Sequence, residues 1–459
     1  MKKQVVNNII MALLLPAMLL SCKKFLQVGA PKTGLVDASV FASKSTAMAA
    51  VTGLYADMQG NYSFASGGPE SIGHVCGLSS DELVNYSQSL DYAGLYQNTV
   101  TPLNGTPAGS TWNNPYYYIY QCNDIIAGVT TSSTIADEDK KEVIGQAEFI
   151  RAFCYFYLTN LYGDIPLNLT TDYSSNRNSS KASSDKVYEQ IIVDLQEAAD
   201  NLPAPGPTDT RILPNSDVAT AMLARVYLYL AKYPEAIAAA DKIIANTARY
   251  QLLPDLSTVF LKESREAIWQ LQPVIPGQNT NEGVDFILTA APTNAVLSDR
   301  LLDAFEPADT RKTFWVGNIT VDGTTYYFPY KYKVLSSSDL TEYSMVIRLA
   351  ELYLIRAEAK AMTANLAGAM ADLNMIRHRA GLGNTTSSTQ ASLLLAIEHE
   401  RQVELFTEWG HRWLDLKRTG RATAVLSPLK PSWKPTAVLF PIPQSEINAN
   451  PHITQNQGY

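Results

Sequence analysis

Apolar and aromatic residues recur three and four positions apart through several long blocks of the chain, the spacing that gathers them on one face of an α-helix. Residues 137–162 carry Val143, Ala147, Ile150, Phe153, Cys154, Tyr157, Leu158 and Leu161 in this phase, and Gly163 follows as a stop signal. Ser184 and Asp185 open a second helix with Val187, Ile191, Leu195 and Ala198 on one face, ended by Pro203. Residues 217–230 and 234–246 read as one helix pair, 346–362 and 366–380 as another. A long final helix is expected from about 391 to 418.

The two pairs repeat one pattern. From Ala224, small or apolar residues fall at Ala236, Ala240 and Ile243; from Ala357 the same offsets give Ala369, Leu373 and Ile376. Small residues where two helices cross, with larger ones behind, are what a tetratricopeptide-type hairpin needs. The pairs stand 133 residues apart, so the array is interrupted. Between the helices lie long stretches rich in Ser, Thr, Asn, Gly, Pro and aromatics, chiefly 61–114, 203–215 and 271–340. Within the last, residues 318–321 and 324–328 alternate around Asp322-Gly323 and read as a small hairpin. The fold class is all-α in the main, with long aromatic loops and minor hairpin content.

Composition narrows the function. At 459 residues and 46% hydrophobic, the chain is too apolar for a disordered protein and longer than one core usually holds. Its 36 basic and 44 acidic residues are spread without blocks, which argues against a nucleic-acid footprint. Only 17% of residues are charged, and 25 are tyrosine. Such polarity suits surfaces that meet uncharged polar ligands.

The N-terminus reads as an export signal. Lys2 and Lys3 precede a 12-residue apolar run, Ile9 to Leu20, too short to span a bilayer. Leu19-Leu20-Ser21-Cys22 then resembles the bacterial lipobox, in which the cysteine is acylated and becomes the mature N-terminus. Residues 1–21 are thus expected to be a lipoprotein signal peptide and Cys22 the lipidated residue, anchoring the chain by lipid alone. Cys76, Cys122 and Cys154 remain, with no CxxC and no Cys/His cluster. Burial among apolar neighbours is expected for Cys122 and Cys154.

Several blocks resemble the SusD/RagB family of outer-membrane lipoproteins of Bacteroidetes-type bacteria. They are Cys22-Lys23-Lys24-Phe25-Leu26 with Pro31, the stretch from Arg348 to Ala359, the helix from Ile397 to Leu405 running on through Gly410-His411-Arg412-Trp413 to Arg418, and Phe440-Pro441-Ile442-Pro443 with Glu446, Asn450-Pro451 and Gln455-Asn456. The resemblance implies a mostly helical nutrient-binding lipoprotein with four tetratricopeptide-like units. It implies a lid on a SusC-like TonB-dependent barrel transporter, capturing oligosaccharides or, less often, peptides, on the outer membrane facing the exterior. One departure is Lys23-Lys24, where many surface-exported relatives carry acidic residues. The chain would then comprise a signal peptide (1–21), an N-terminal region with helices and ligand loops (22–215) and a C-terminal region with the hairpins and further ligand loops (216–459).

No catalytic constellation is visible. Glu400, Glu404 and Glu408, four apart with Arg401 and Arg412, share a helix face, with Glu408 and Arg412 as an i,i+4 pair. A glycosidase needs two carboxylates across a cleft, so a structural ion-pair network is expected here, with Trp409, Trp413 and Leu416 in the core. The five histidines show no metal-ligand spacing, and no GxSxG or phosphate loop occurs. No cofactor, metal or catalytic residue is expected.

The aromatic loops carry the functional expectation. Sugar rings present C–H faces that stack on flat aromatics, and a tyrosine hydroxyl stays satisfied while its ring stacks. Asp81, Tyr86, Tyr92 and Tyr96 in the first loop region, and Trp315, Tyr326, Tyr327 and Tyr330 in the second, are the candidate ligand residues. In a strand over 324–328, Tyr326 and Phe328 share one face and Tyr327 takes the other. Trp112, Tyr116, Ile119 and Asn123 fall at helical spacing and read as core. Peptide binding on the same scaffold, a lipoprotein glycosidase and a periplasmic tetratricopeptide scaffold are the alternatives; the last leaves the tyrosines without a role.

Overall fold

A computed structural model describes residues 37–60, 63–206 and 209–459. Cys22 and the expected signal peptide lie outside the described residues. The chain is mainly helical, as the periodicity predicts. The principal helices are α1 (Lys44–Gln59), α2 (Ile72–Ser79), α3 (Leu90–Gln97), α4 (Asn114–Thr131), α5 (Asp137–Tyr162), α6 (Ser184–Asn201), α7 (Ser216–Tyr229), α8 (Tyr233–Ala245), α9 (Leu349–Met362), α10 (Leu366–Arg379), α11 (Gln390–Leu405) and α12 (His411–Arg418).

Helix α5 spans the predicted residues. Three acids in its first turn oppose the partial positive charge of the helix N-terminus, and Gly163 ends it at φ 75°, donating its N–H to Thr159. The helices pack in sequence order, α4 on α5, α5 on α6, α6 on α7 and α7 on α8. The chain then leaves for residues 246–348 and returns as α9, which stacks directly on α8 and bears α10 and α11. The interruption is thus in sequence only. Ala224, Ala236, Ala240 and Ile243, and their counterparts Ala357, Ala369, Leu373 and Ile376, are all fully buried. The repeated offsets are core positions, as a tetratricopeptide-type hairpin requires. One buried cluster runs from Phe41 to Ile453 and so draws on both sides of position 215; a smaller one joins α9, α10 and α11.

Among the described residues, eight short strands form four antiparallel pairs. They are β1 (Leu83–Asn85), β2 (Ile165–Pro166), β3 (Lys181–Ala182), β4 (Ala267–Leu271), β5 (Ala295–Leu297), β6 (Val316–Val321), β7 (Thr324–Pro329) and β8 (Ser344–Arg348). The expected hairpin is β6–β7, with Asp322 and Gly323 both at positive φ, as its two-residue turn demands.

Two expectations need correction. Residues 346–348 belong not to a helix but to β8, where Ile347 pairs with Trp269 and Arg348 with Ala267 of β4, and all three are buried. The long final helix is two helices. Between α11 and α12 the backbone turns at Thr407 (φ 56°), Trp409 (φ 47°) and Gly410 (φ 72°). Positive φ in two non-glycine residues costs on the order of 1–3 kcal/mol each. The break puts Phe406 in the core, lets the Trp409 indole donate to the Met345 carbonyl, and aims Glu408 at Lys331 and Arg348.

Candidate functional site

The site begins at a corner locked by charge. Asp81 is buried and accepts two hydrogen bonds from Arg412 of α12, at 2.7 and 2.9 Å. Its backbone carbonyl accepts from the Ser298 hydroxyl, and the carbonyl of Glu82 accepts from the Ser298 N–H. The expected Glu408–Arg412 pair therefore does not form: Arg412 is taken by Asp81 and by Glu398. From this corner β1 runs antiparallel to β5, and β5 packs against β7. The two aromatic segments, 240 residues apart in sequence, meet there.

Tyr86, just beyond β1, meets Tyr326 of β7 edge to face with ring centroids 5.6 Å apart. Tyr86 is 38% exposed and its N–H is fixed by the Asn294 carbonyl. Partial burial, then the charges of Tyr326, Asp299 and Tyr96, push the Tyr86 phenol above its usual range. Asp299 is exposed and offers a carboxylate beside this pair of rings. Sequence reasoning missed it, because a lone aspartate after Ser298 reads only as the first turn of a helix.

The remaining candidates divide. Tyr327 is 37% exposed but lies on the opposite face of β7 from Tyr326, in the predicted alternation. Tyr330 is half-buried, with the Lys333 ammonium 4.3 Å from its ring centre. Tyr92 and Tyr96, one turn apart on α3, are half-buried; Tyr92 packs against His74, and Tyr96 lies against the Lys430 ammonium. Trp315 is fully buried, its indole donating to the Leu256 carbonyl and its ring against Lys331, Arg348 and Arg379. Trp315 and Asp81 thus offer no surface, and their polar atoms are already partnered. Trp112, Ile119 and Asn123 are buried and Tyr116 half-buried, the core role expected of them.

A buried charge network gathers on the last turns of α11 and at the break that follows it. Glu404 pairs with Arg311, Arg348 and Arg379, Glu408 with Arg348 and Lys331, and Glu400 with Arg311 and Arg377. Burial alone raises the Glu404 carboxyl, but the charges of Arg379, Arg348 and Arg311 outweigh it and hold it well below the ordinary range. Burial lowers Lys331 to about 8 although Glu408 opposes it. The Lys331 ammonium also donates to the carbonyls of Glu404 and Phe406. These carboxylates are consumed by ion pairing, the network expected from their spacing. Glu306, His399 and Glu400 bring potential metal-ligand atoms within 4.8 Å of one another. They too are engaged, the two glutamates with Arg377 and the His399 imidazole with the Ala304 carbonyl. Cys76, Cys122 and Cys154 are buried thiols, as expected for the latter two.

Comparison with known proteins agrees with this architecture. Residues 316–459 match the family model described as the SusD family, and residues 36–228 one described as starch-binding associating with outer membrane. SusD-like protein P2 of Formosa agariphila is 28% identical over 412 residues, covering 76% of this chain and 80% of the relative. SusD-like protein P25 of the same organism is 24% identical across 99% of both chains. Among solved structures, a SusD superfamily protein from Bacteroides vulgatus superposes with a TM-score of 0.79 at 22% identity, covering 91% of this chain and 99% of that one. A laminarin-binding SusD-like protein superposes at 0.75 with 26% identity, covering 90% and 99%.

Proposed function

This chain belongs to the SusD family of glycan-binding proteins, and on that premise we propose that it is a non-catalytic, lipid-anchored outer-membrane protein that captures an oligosaccharide and hands it to a TonB-dependent barrel transporter. The observation that carries the reading is the edge-to-face contact of Tyr86 and Tyr326 at the surface, which brings the two aromatic segments together beside the exposed Asp299. Edge-to-face rings leave one aromatic face open for a sugar to stack on, and the carboxylate accepts from sugar hydroxyls. Tyr92 and Tyr330 are half-buried and Tyr327 faces away from Tyr326, so no ligand contact is assigned to these three. Asp81 and Trp315 serve by holding the surrounding segments in place. The lipobox at Cys22 supports the anchor, and family resemblance supports the transporter partner and the outward-facing position. The ion-paired state of Glu400, Glu404 and Glu408 supports capture without turnover.

Calorimetric titration of the mature chain without its lipid tests this reading. The panel includes laminarin oligosaccharides, since a related structure is a laminarin-binding protein. Saturating heat with one sugar class, lost in Tyr86→Ala and Tyr326→Ala, is the expected result. Heat that continues until ligand is consumed refutes the non-catalytic assignment, and saturation by peptides alone moves the protein to peptide uptake.

A further inference from the structure

A second concave surface shares no lining residue with the Tyr86 patch. It is a cleft of about 990 Å³ between α4, the short helix Tyr173–Arg177 and the C-terminal helix Gln444–Ala449. That volume sits at the upper end of small-molecule sites, which run from about 300 to 1,000 Å³. The buried Trp112 and the Glu446 side chain both line it. Trp112 and Asn113 end a stretch of π-helix, Pro107–Asn113, that leads into α4; such widened turns recur at functional sites.

The lining is chemically specific. Tyr117 and Tyr120 stand one turn apart on the outer face of α4, 49% and 47% exposed, and Tyr173 is 74% exposed across the opening. Tyr117 meets the Tyr118 ring edge to face, 5.5 Å between centroids, yet about half of it stays open, as does Tyr120, and Tyr173 is more exposed still. None of their hydroxyls has a hydrogen-bond partner among the described residues, and the same is true of the Asn113 amide and the Arg177 guanidinium. Asn448 uses its carbonyl on Gln444 and keeps its NH2 free. Rings interleaved with free amide and guanidinium donors around a hollow fit a hydroxyl-rich ligand, whereas the centre of a protein–protein interface is drier and more apolar.

We propose that this cleft is a second oligosaccharide site, in which Tyr117, Tyr120 and Tyr173 stack on the faces of a neutral sugar chain while Asn113, Asn448 and Arg177 bond its hydroxyls. The inference rests on the glycan-binding reading above but not on the Tyr86 patch. Two sites on one lid let it hold separate stretches of a polymer, which lengthens residence without tightening either site.

The test titrates three proteins with laminarihexaose, maltohexaose, cellohexaose and xylohexaose: the wild type, Tyr117→Ala/Tyr120→Ala and Tyr86→Ala/Tyr326→Ala. The wild type is expected to bind two equivalents of a hexaose, and each double variant one, with at least a tenfold loss at the altered site. Melting of the Tyr117→Ala/Tyr120→Ala protein stays unchanged, because both rings are surface residues. Two equivalents retained by that variant, or a single wild-type equivalent that disappears with Tyr86→Ala/Tyr326→Ala, overturns the second site and leaves the first reading intact. No uptake of any hexaose by the wild type overturns both. Unchanged sugar binding together with lost co-purification of a barrel partner reassigns the cleft to a protein contact.

Discussion

Replacing Glu404 by glutamine probes the centre of the buried charge network. Glu404 is fully buried and its carboxylate serves three guanidinium groups, Arg348 at 2.5 Å, Arg311 at 3.0 Å, and Arg379. Glutamine keeps the volume and removes the charge, so three buried cations lose their shared partner. Breaking a buried pair by removing one member costs about 3–5 kcal/mol, because the remaining charge stays desolvated. Some of this is recovered here, since Arg311 retains Asp309 and Glu400, and Arg348 retains Glu408. The expectation at pH 7 is therefore a loss of about 3 kcal/mol in urea denaturation. Glu189→Gln, in the exposed Lys186–Glu189 pair, is the control and should shift stability by less than about 1 kcal/mol. The sign with pH follows from the depressed carboxyl of Glu404. Its contribution is complete above the unfolded value near 4.3 and is lost as pH falls through the lower folded value. Wild type and variant should therefore converge only in strong acid. A loss at pH 7 no larger than the control's refutes the reasoning.

Gly410→Ala meets both a positive φ of 72° and the Cys76 side chain at 2.8 Å, and should cost about 2–4 kcal/mol in thermal or urea unfolding. Gly420→Ala has a similar φ but open space, and should cost only about 1–2 kcal/mol. Burial and then the Asp81 charge raise the Glu82 carboxyl to about 8, so the folded state binds its proton more tightly and stability falls as pH rises from about 4.5 to 8. Glu82→Gln should gain stability relative to wild type between those pH values in urea titrations, and a constant difference across the window would show the carboxyl is not so perturbed. Cys22→Ser should move the protein from the membrane to the soluble fraction, and retention in cells lacking the barrel partner would rule out lipid anchoring. If Asp81 acts by pinning the corner below Tyr86, Asp81→Asn and Arg412→Lys should lower oligosaccharide affinity non-additively in a double-mutant cycle; additive losses would instead mark Asp81 as a direct ligand.

Much of the scaffold is legible in the sequence because its information is local. Helix α5 and the β6–β7 hairpin follow from periodicity and from the Asp322-Gly323 turn, and the repeated small residues mark the helix crossings. The break after α11 is not legible, since Phe406, Trp409 and Trp413 continue a plausible helical pattern. Partners 60 or more residues away, Glu82, Lys331, Met345 and Arg348, draw the chain out of it. The pairing of β4 with β8 is distant in the same way. Aromatic loops are the hardest to read. Trp315 and Tyr327 lie in one segment of like composition, yet one roofs a buried charge cluster and the other faces solvent. Tyr117 and Tyr120 escape notice for the opposite reason, because the helix that carries them also carries a recognisable core face.

The buried charge network ties together the segments that carry the proposed patch. Buried ion pairs add little net stability, since desolvation consumes most of the Coulombic gain. They are directional, however, and a guanidinium shared among fixed carboxylates tolerates little sliding. Here the charged groups come from separate segments: Glu266 before β4, Asp309 and Arg311, Lys331 after β7, Arg348 at the end of β8, Arg379 of α10, and Glu400, Glu404 and Glu408. Lys331 follows the hairpin by two residues, and the Tyr330 N–H is held by the Trp315 carbonyl, so both ends of β6–β7 are tied to this cluster. The opposite wall of the patch is tied in the same way, through Asp81 to Arg412. The segments that carry Tyr86 and Tyr326 are therefore anchored, through Asp81 and Lys331, to α12 and to the break after α11.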